Sequence, residues 1–202
     1  MNHLIIYAHA NGNSFNAAVR DTIANALRER DQEVAIRDLY ALNFNPVLTD
    51  GELNGFYERK YAADLEEEHR HIRWADALYF VFPTWWYGRP AILKGYIDRV
   101  FSTGFAFRYS KQGPIGLLTD KKAFVFQTAA DPEQTLTDRD LLTAMRNSID
   151  VGILNYCGLE VLGHKFMTGI HHVSDETRQQ YLQEVEDTIL ASPLDVGAPV
   201  KK

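Results

Sequence analysis

Three short stretches hold the residues best suited to chemistry: HANGNSFN (9–16), PTWWYGRP (83–90) and TAADPEQT (128–135). The first combines His9, Asn13, Ser14 and Asn16 with a flexible Gly12 and runs into an amphipathic segment. Free N–H groups at a helix start, with the macrodipole behind them, favour an anion and phosphate above all. The plainer reading of Ser14 is a helix cap with no ligand attached. The loop contains neither the GxGxxG fingerprint nor the GxxxxGK-Ser/Thr pattern. The second stretch sets Trp85, Trp86 and Tyr87 in a row where a surface loop is expected. Such rings can pack as a satellite cluster or at a subunit interface, or they can wall in a flat ligand. A phosphate at one end and a ring system at the other describe a flavin better than a nucleoside triphosphate. The latter would want a Mg²⁺ site and a phosphate-gripping lysine.

Alternating elements must position these loops. LIIYA (4–8), EVAIRDL (33–39), ALYFVF (77–82), KAFVFQT (122–128) and LEVLGHKFM (159–167) read as strands, several of them continuous apolar runs buried on both faces. Between them, residues 15–30 carry Phe15, Val19, Ile23 and Leu27 at helical spacing behind Ser14. Residues 61–73, the segment after Pro90, 137–156 ending at Gly158, and 175–191 are also helical. Five strands separated by helices make an α/β doubly wound parallel sheet, with a ligand crevice beyond the carboxyl ends of the strands. Two stretches, 40–60 and 102–121, read as long irregular loops. Residues 1–191 are expected to form one domain and 192–202 a loose tail.

Composition narrows the function. A net charge of −6 argues against broad nucleic-acid binding, which needs a basic face. No apolar run approaches the ~20 residues of a membrane span, and MNHLIIYAHANG lacks the form of a signal peptide. With a single cysteine, Cys157, the expected setting is cytoplasmic. Cys157 reads as a buried structural thiol, and Glu66–Glu68 as a solvated helix face. No metal is expected: His69 and His71 are two apart, and His171 and His172 lack matching ligands.

AHANGNSFNAA (8–18), DLYALNFNPVLT (38–49), FVFPTWWYGRPAILKGYIDRVFSTGFAF (80–107) and NYCGLEVL (155–162) together resemble the NAD(P)H:quinone oxidoreductase family, in the same order along nearly the whole chain. That family includes DT-diaphorase, shorter bacterial relatives and the ancillary quinone reductases of potassium-efflux systems. The resemblance implies a flavodoxin-like fold of strand order 2-1-3-4-5, and a homodimer with active sites at the interface. It further implies FAD, with FMN as the alternative, and ping-pong hydride transfer from NAD(P)H to a quinone. It assigns His9, Asn13, Ser14, Phe15 and Asn16 to the flavin phosphate region. Pro83, Thr84, Trp86 and Tyr87 fall to the ring system, Phe107 and Tyr109 to the quinone pocket, and Arg178 to the adenylate part of FAD. Trp85 receives no role. The third loop departs from the mammalian members: Thr128 is present, Ala129 and Ala130 replace glycines, and the expected tyrosine and histidine are missing. In their place, N–H groups of residues 128–131 with Gln127 or Thr128 are expected to stabilise charge on the reduced ring. An azo, nitro or flavin reductase, or a regulatory flavoprotein subunit of an ion-efflux system, are the alternatives.

Overall fold

The computed structural model describes residues 1–195. Its centre is a parallel sheet of five strands: β1 (Asn2–Tyr7), β2 (Glu33–Asp38), β3 (Ala77–Pro83), β6 (Lys122–Thr128) and β7 (Glu160–Met167). Their spatial order is β2-β1-β3-β6-β7. Without the two short strands β4 (Phe107–Ser110) and β5 (Gly113–Gly116), which pair separately, this is the expected 2-1-3-4-5 order. Register explains the continuous apolar runs. Leu4, Ile6, Leu78, Phe80, Phe82 and Val125 enter one core layer, while Ile5, Tyr7, Tyr79, Val81, Phe124 and Phe126 enter the other. With successive side chains on opposite faces and helices on both, every position must be apolar.

Helices α1 (Phe15–Arg28) and α7 (Asp175–Leu190) cover the second layer through Val19, Ile23, Val185 and Ile189. Helices α3 (Ala63–Trp74) and α4 (Ala91–Val100) cover the first through Leu65, Ile72, Leu93 and Tyr96. Ser14 caps α1, its hydroxyl accepting from Ala17 N, and Pro90 immediately precedes α4. Among the described residues no helix is long and apolar enough to cross a membrane.

Several expectations need correction. The stretch 40–60 is not irregular: it contains α2 (Asp50–Tyr57), opened by a Thr49/Glu52 capping box. Glu52 also pairs with the buried Arg99 of α4, which bonds the Asn45 carbonyl at 2.8 Å and Asp64 at 2.9 Å. The stretch 102–121 contains the β4–β5 hairpin, turning at Lys111–Gln112 between the paired Ser110 and Gly113. The single helix expected over 137–156 is broken. Asp140 adopts a left-handed conformation (φ 55°) between α5 (Glu133–Asp138) and α6 (Leu141–Arg146). The chain then widens into a π-helical segment, Asn147–Asn155, from which Asp150 meets His164 of β7 at 2.9 Å. Glu68 is not solvated; it is buried, bonded by Arg37 at 2.5 Å and by the Tyr96 hydroxyl at 3.1 Å.

Cys157 is buried, and burial pushes its thiol up to about 12. At the chain's end Ser192 is buried and Leu194 packs on the second core layer, so the expected tail begins ordered; residues 196–202 lie outside the described residues.

Candidate active site

Beyond the carboxyl ends of β1, β3 and β6 lies a cleft of about 440 Å³. The segment after β1 contributes His9, Asn11, Ser14, Phe15 and Asn16. At this end the first turn of α1 presents its N-terminus. The Ser14 hydroxyl, besides capping the helix, lies 3.2 Å from the Tyr7 hydroxyl. The Tyr7 ring carries the Arg20 guanidinium at 4.6 Å. His9 Nδ1 lies 3.0 Å from Asn11 N and 3.1 Å from Asn11 O, so the loop backbone fixes the orientation of the ring.

Asn16 is buried, and its Nδ2 donates to the hydroxyl of Thr128, also buried, at 2.8 Å. This bond crosses from α1 to the end of β6 and ties the first loop to the third. Asn16 Oδ1 is buried without a protein partner. Because a buried unsatisfied oxygen is costly, it marks where a bound donor belongs.

The second loop leaves β3 at Pro83 and Thr84, both on the cleft wall. Thr84 N–H donates to the Thr128 carbonyl at 2.6 Å, and Gln127 Nε2 donates to Thr84 Oγ1 at 2.7 Å. A two-residue turn follows, closed by Trp85 N to Gly88 O (2.9 Å) and Gly88 N to Trp85 O (3.0 Å). Trp86 and Tyr87 occupy its centre at φ 53° and 54°. Such a turn normally takes asparagine and glycine, and a left-handed bulky residue costs about 1–2 kcal/mol. The rings are held in a strained turn, and Trp86 is 98% exposed. Ile170, His171 and Arg178 close the far side. Arg178 is oriented by Asp175 at 2.5 Å and by the Ile170 carbonyl at 3.1 Å. Among the described residues the lining thus carries two histidines and an arginine and no carboxylate, a composition that suits an anion.

A family described as having a flavodoxin-like fold matches residues 1–189. An uncharacterized NAD(P)H oxidoreductase of Haemophilus influenzae is 36% identical over 91% of each chain. NAD(P)H dehydrogenase [quinone] 1 of Cavia porcellus is 32% identical over 89% of this chain and 72% of its own. Among solved structures, the NAD(P)H:quinone oxidoreductase of Methanothermobacter marburgensis superposes with a TM-score of 0.84 at 29% identity, covering 94% of this chain and 95% of that one. The chain belongs to this flavodoxin-like family of NAD(P)H oxidoreductases.

The oxidoreductase brings nine of the expected cofactor residues onto one cleft: His9, Ser14, Phe15, Asn16, Pro83, Thr84, Thr128, Ala130 and Arg178. Four others do not line it. Asn13 is exposed on the loop, and its N–H is engaged by Asn11 Oδ1 at 2.9 Å. Ala129 is buried beneath, with its N–H donated to Met167 O at 2.9 Å, so it cannot join the expected row of free amides. Trp86 points away to solvent, and Tyr87, 40% exposed, lines a smaller hollow with Gln127, Arg89 and Met145. Gln127 therefore acts on the cleft only through Thr84. Phe107 and Tyr109 sit edge to face (5.5 Å) on the β4–β5 hairpin and do not line the cleft either.

Sequence reasoning missed Asn11, Trp85, Ile170 and His171. Trp85, given no role, lines the cleft with its ring tilted against His9 at 6.3 Å. Ile170 and His171 follow β7 within four residues. Their place just past a strand's carboxyl end was a signal that could have found them.

Proposed function

We propose that this oxidoreductase holds a flavin nucleotide in the cleft and catalyses hydride transfer from NAD(P)H to a quinone, the two substrates using one slot in turn. The observation that carries this reading is the cleft itself. It joins a capped helix N-terminus, the Arg178 guanidinium, the apolar and aromatic walls of Phe15, Pro83 and Trp85, and the unpartnered Asn16 Oδ1. FAD is favoured over FMN because Arg178 and His171 extend the anion-seeking wall toward α7.

A flavin bound there would supply the two-electron chemistry, accepting a hydride from a nicotinamide and releasing it to a quinone. The protein's part is orientation and charge. Ser14 and the first amides of α1 anchor the phosphate end, while Asn16 Oδ1 accepts from a donor of the bound nucleotide. The Thr128 hydroxyl accepts from Asn16 and so keeps its own proton to donate into the cleft. Together with the N–H of Ala130 it stabilises negative charge developing on the ring edge, the work the absent tyrosine and histidine would do. Gln127 is a positioning residue that fixes Thr84. Trp85 walls the slot and excludes water from it, held in place by the turn that Trp86 and Tyr87 form. The exposed Trp86 and the hairpin aromatics Phe107 and Tyr109 complete the quinone side when two copies pair as a homodimer.

The test begins with purified protein. It should be yellow, release FAD or FMN identifiable by mass spectrometry, and elute as a dimer. Anaerobic mixing with NADH or NADPH should bleach it rapidly, and menadione should restore the colour. Steady-state plots should give the parallel lines of a ping-pong reaction. Azo or nitro acceptors outpacing quinones would reassign the acceptor. A colourless protein that takes up neither flavin nucleotide would end the proposal.

A further inference from the structure

At the other end of the sheet, by the amino ends of β3 and β6, lies a second hollow of about 370 Å³. It is lined by Arg59, Arg73 and Lys121, with Tyr61 and Phe105 as aromatic walls and Asp120 at its rim. We infer that this hollow binds a small dianion of the phosphate class, either inorganic phosphate or a phosphate monoester.

The argument rests on charge left without a protein partner. Neither Arg59 nor Arg73 makes an ion pair among the described residues. Lys121 is buried; its Nζ donates to the Arg73 carbonyl at 3.0 Å and meets Asp120, itself exposed, at 3.0 Å. Three cations facing one carboxylate leave an excess of two positive charges, in a chain whose net charge is −6. A dianion matches that excess, and two guanidinium forks suit the tetrahedral oxygens of phosphate better than one carboxylate.

Arg59 and Arg73 are exposed, and each lies against a neighbour that directs it. The Arg73 guanidinium lies over the Phe105 ring at 5.3 Å, and that ring is backed by His69 at 3.6 Å, nearly parallel. Arg59 sits at φ 56° with its stem close against Gly104, where a Cβ would approach it to 3.3 Å. Burial depresses His69 to about 4, so at neutral pH it adds no charge and serves as wall. The floor, Gly104–Phe105 and Leu117–Leu118, is the base of the β4–β5 hairpin. There Gly104 N–H bonds Phe107 O at 2.7 Å and Leu117 N–H bonds Ala106 O at 2.8 Å. A bound anion would therefore brace the hairpin that carries Phe107 and Tyr109.

Inorganic phosphate is the probe, titrated calorimetrically into the intact protein and into Arg59→Gln, Arg73→Gln and Arg178→Gln. The expected result is a saturable site that survives Arg178→Gln and weakens at least about tenfold in each of the other two, as for a lost charge-assisted bond. Binding lost only in Arg178→Gln would place phosphate in the cleft after the first strand and overturn the inference. So would affinity unchanged in Arg59→Gln and Arg73→Gln, or no saturable binding at all. In the unmodified protein, phosphate should also slow amide exchange at residues 104–105 and 117–118. Unaltered exchange there refutes the inference without relying on any variant.

Discussion

Replacing Thr128 by valine isolates the bond that joins two of the three loops. Valine nearly matches threonine in shape, so no cavity forms, and the change reduces to removing the acceptor of Asn16 Nδ2 at 2.8 Å. Both residues are buried, and Asn16 Oδ1 already lacks a partner, so the variant leaves the whole amide unsatisfied by protein. Stranding a neutral donor costs about 1–3 kcal/mol. Asn16 lines the open cleft, where a small shift of its side chain brings the amide to water, so the lower figure applies. About 1 kcal/mol in a domain of this size lowers Tm by roughly 2–4 °C. The assay is urea unfolding of cofactor-free Thr128→Val, Asn16→Ala and the double variant, since bound ligand would add its own stabilisation. In the double variant no amide is stranded, so the losses should fall short of additivity by about 1 kcal/mol. A ligand that closes the cleft removes the rescuing water. Flavin affinity should then fall about tenfold in Thr128→Val, the equivalent of ~1.4 kcal/mol. Losses that add within about 0.3 kcal/mol would show that the bond does not couple the loops, and the role given to Thr128 would go with it.

Two further outcomes follow from the scaffold. Gly95 of α4 sits against the backbone of Pro46, and a Cβ there would run into the Pro46 carbonyl oxygen. Gly95→Ala should therefore destabilise by about 1–3 kcal/mol and loosen residues 45–48, visible as faster amide exchange; an unchanged melting curve would contradict the close contact. His3 and His69 are both buried, and burial lowers each from 6.5 to about 4, so the native protein keeps them neutral at pH 7. The unfolded chain takes up these protons below pH 6.5 while the native state resists until about 4, so stability should fall with acid across that window. His69→Gln, which keeps a donor for the Val100 carbonyl that His69 Nε2 meets at 2.9 Å, should flatten the slope seen in pH-dependent unfolding.

The parts legible in the chain are those set by near neighbours. The three central strands were readable because residues buried on both faces must all be apolar, as in ALYFVF, whatever the rest of the chain does. The Ser14 cap was readable because a helix start is satisfied by residues within three positions. The cleft's place followed from topology, since alternating strands and helices bring the loops after β1, β3 and β6 to the same edge.

What stayed hidden depends on partners far away in sequence. Glu68 looked solvated until Arg37, thirty-one residues earlier, and Tyr96 were folded against it. Which of three consecutive aromatics faces the cleft was decided by a turn with two left-handed residues. Tryptophan and tyrosine do not announce such a turn, so Trp85 turned inward and Trp86 outward. The sequence by itself determined the sheet and the helix start. Only tertiary structure decided which side chains meet at the site, because a hydrogen bond such as Asn16 to Thr128 spans 112 residues and leaves no periodic trace in the chain.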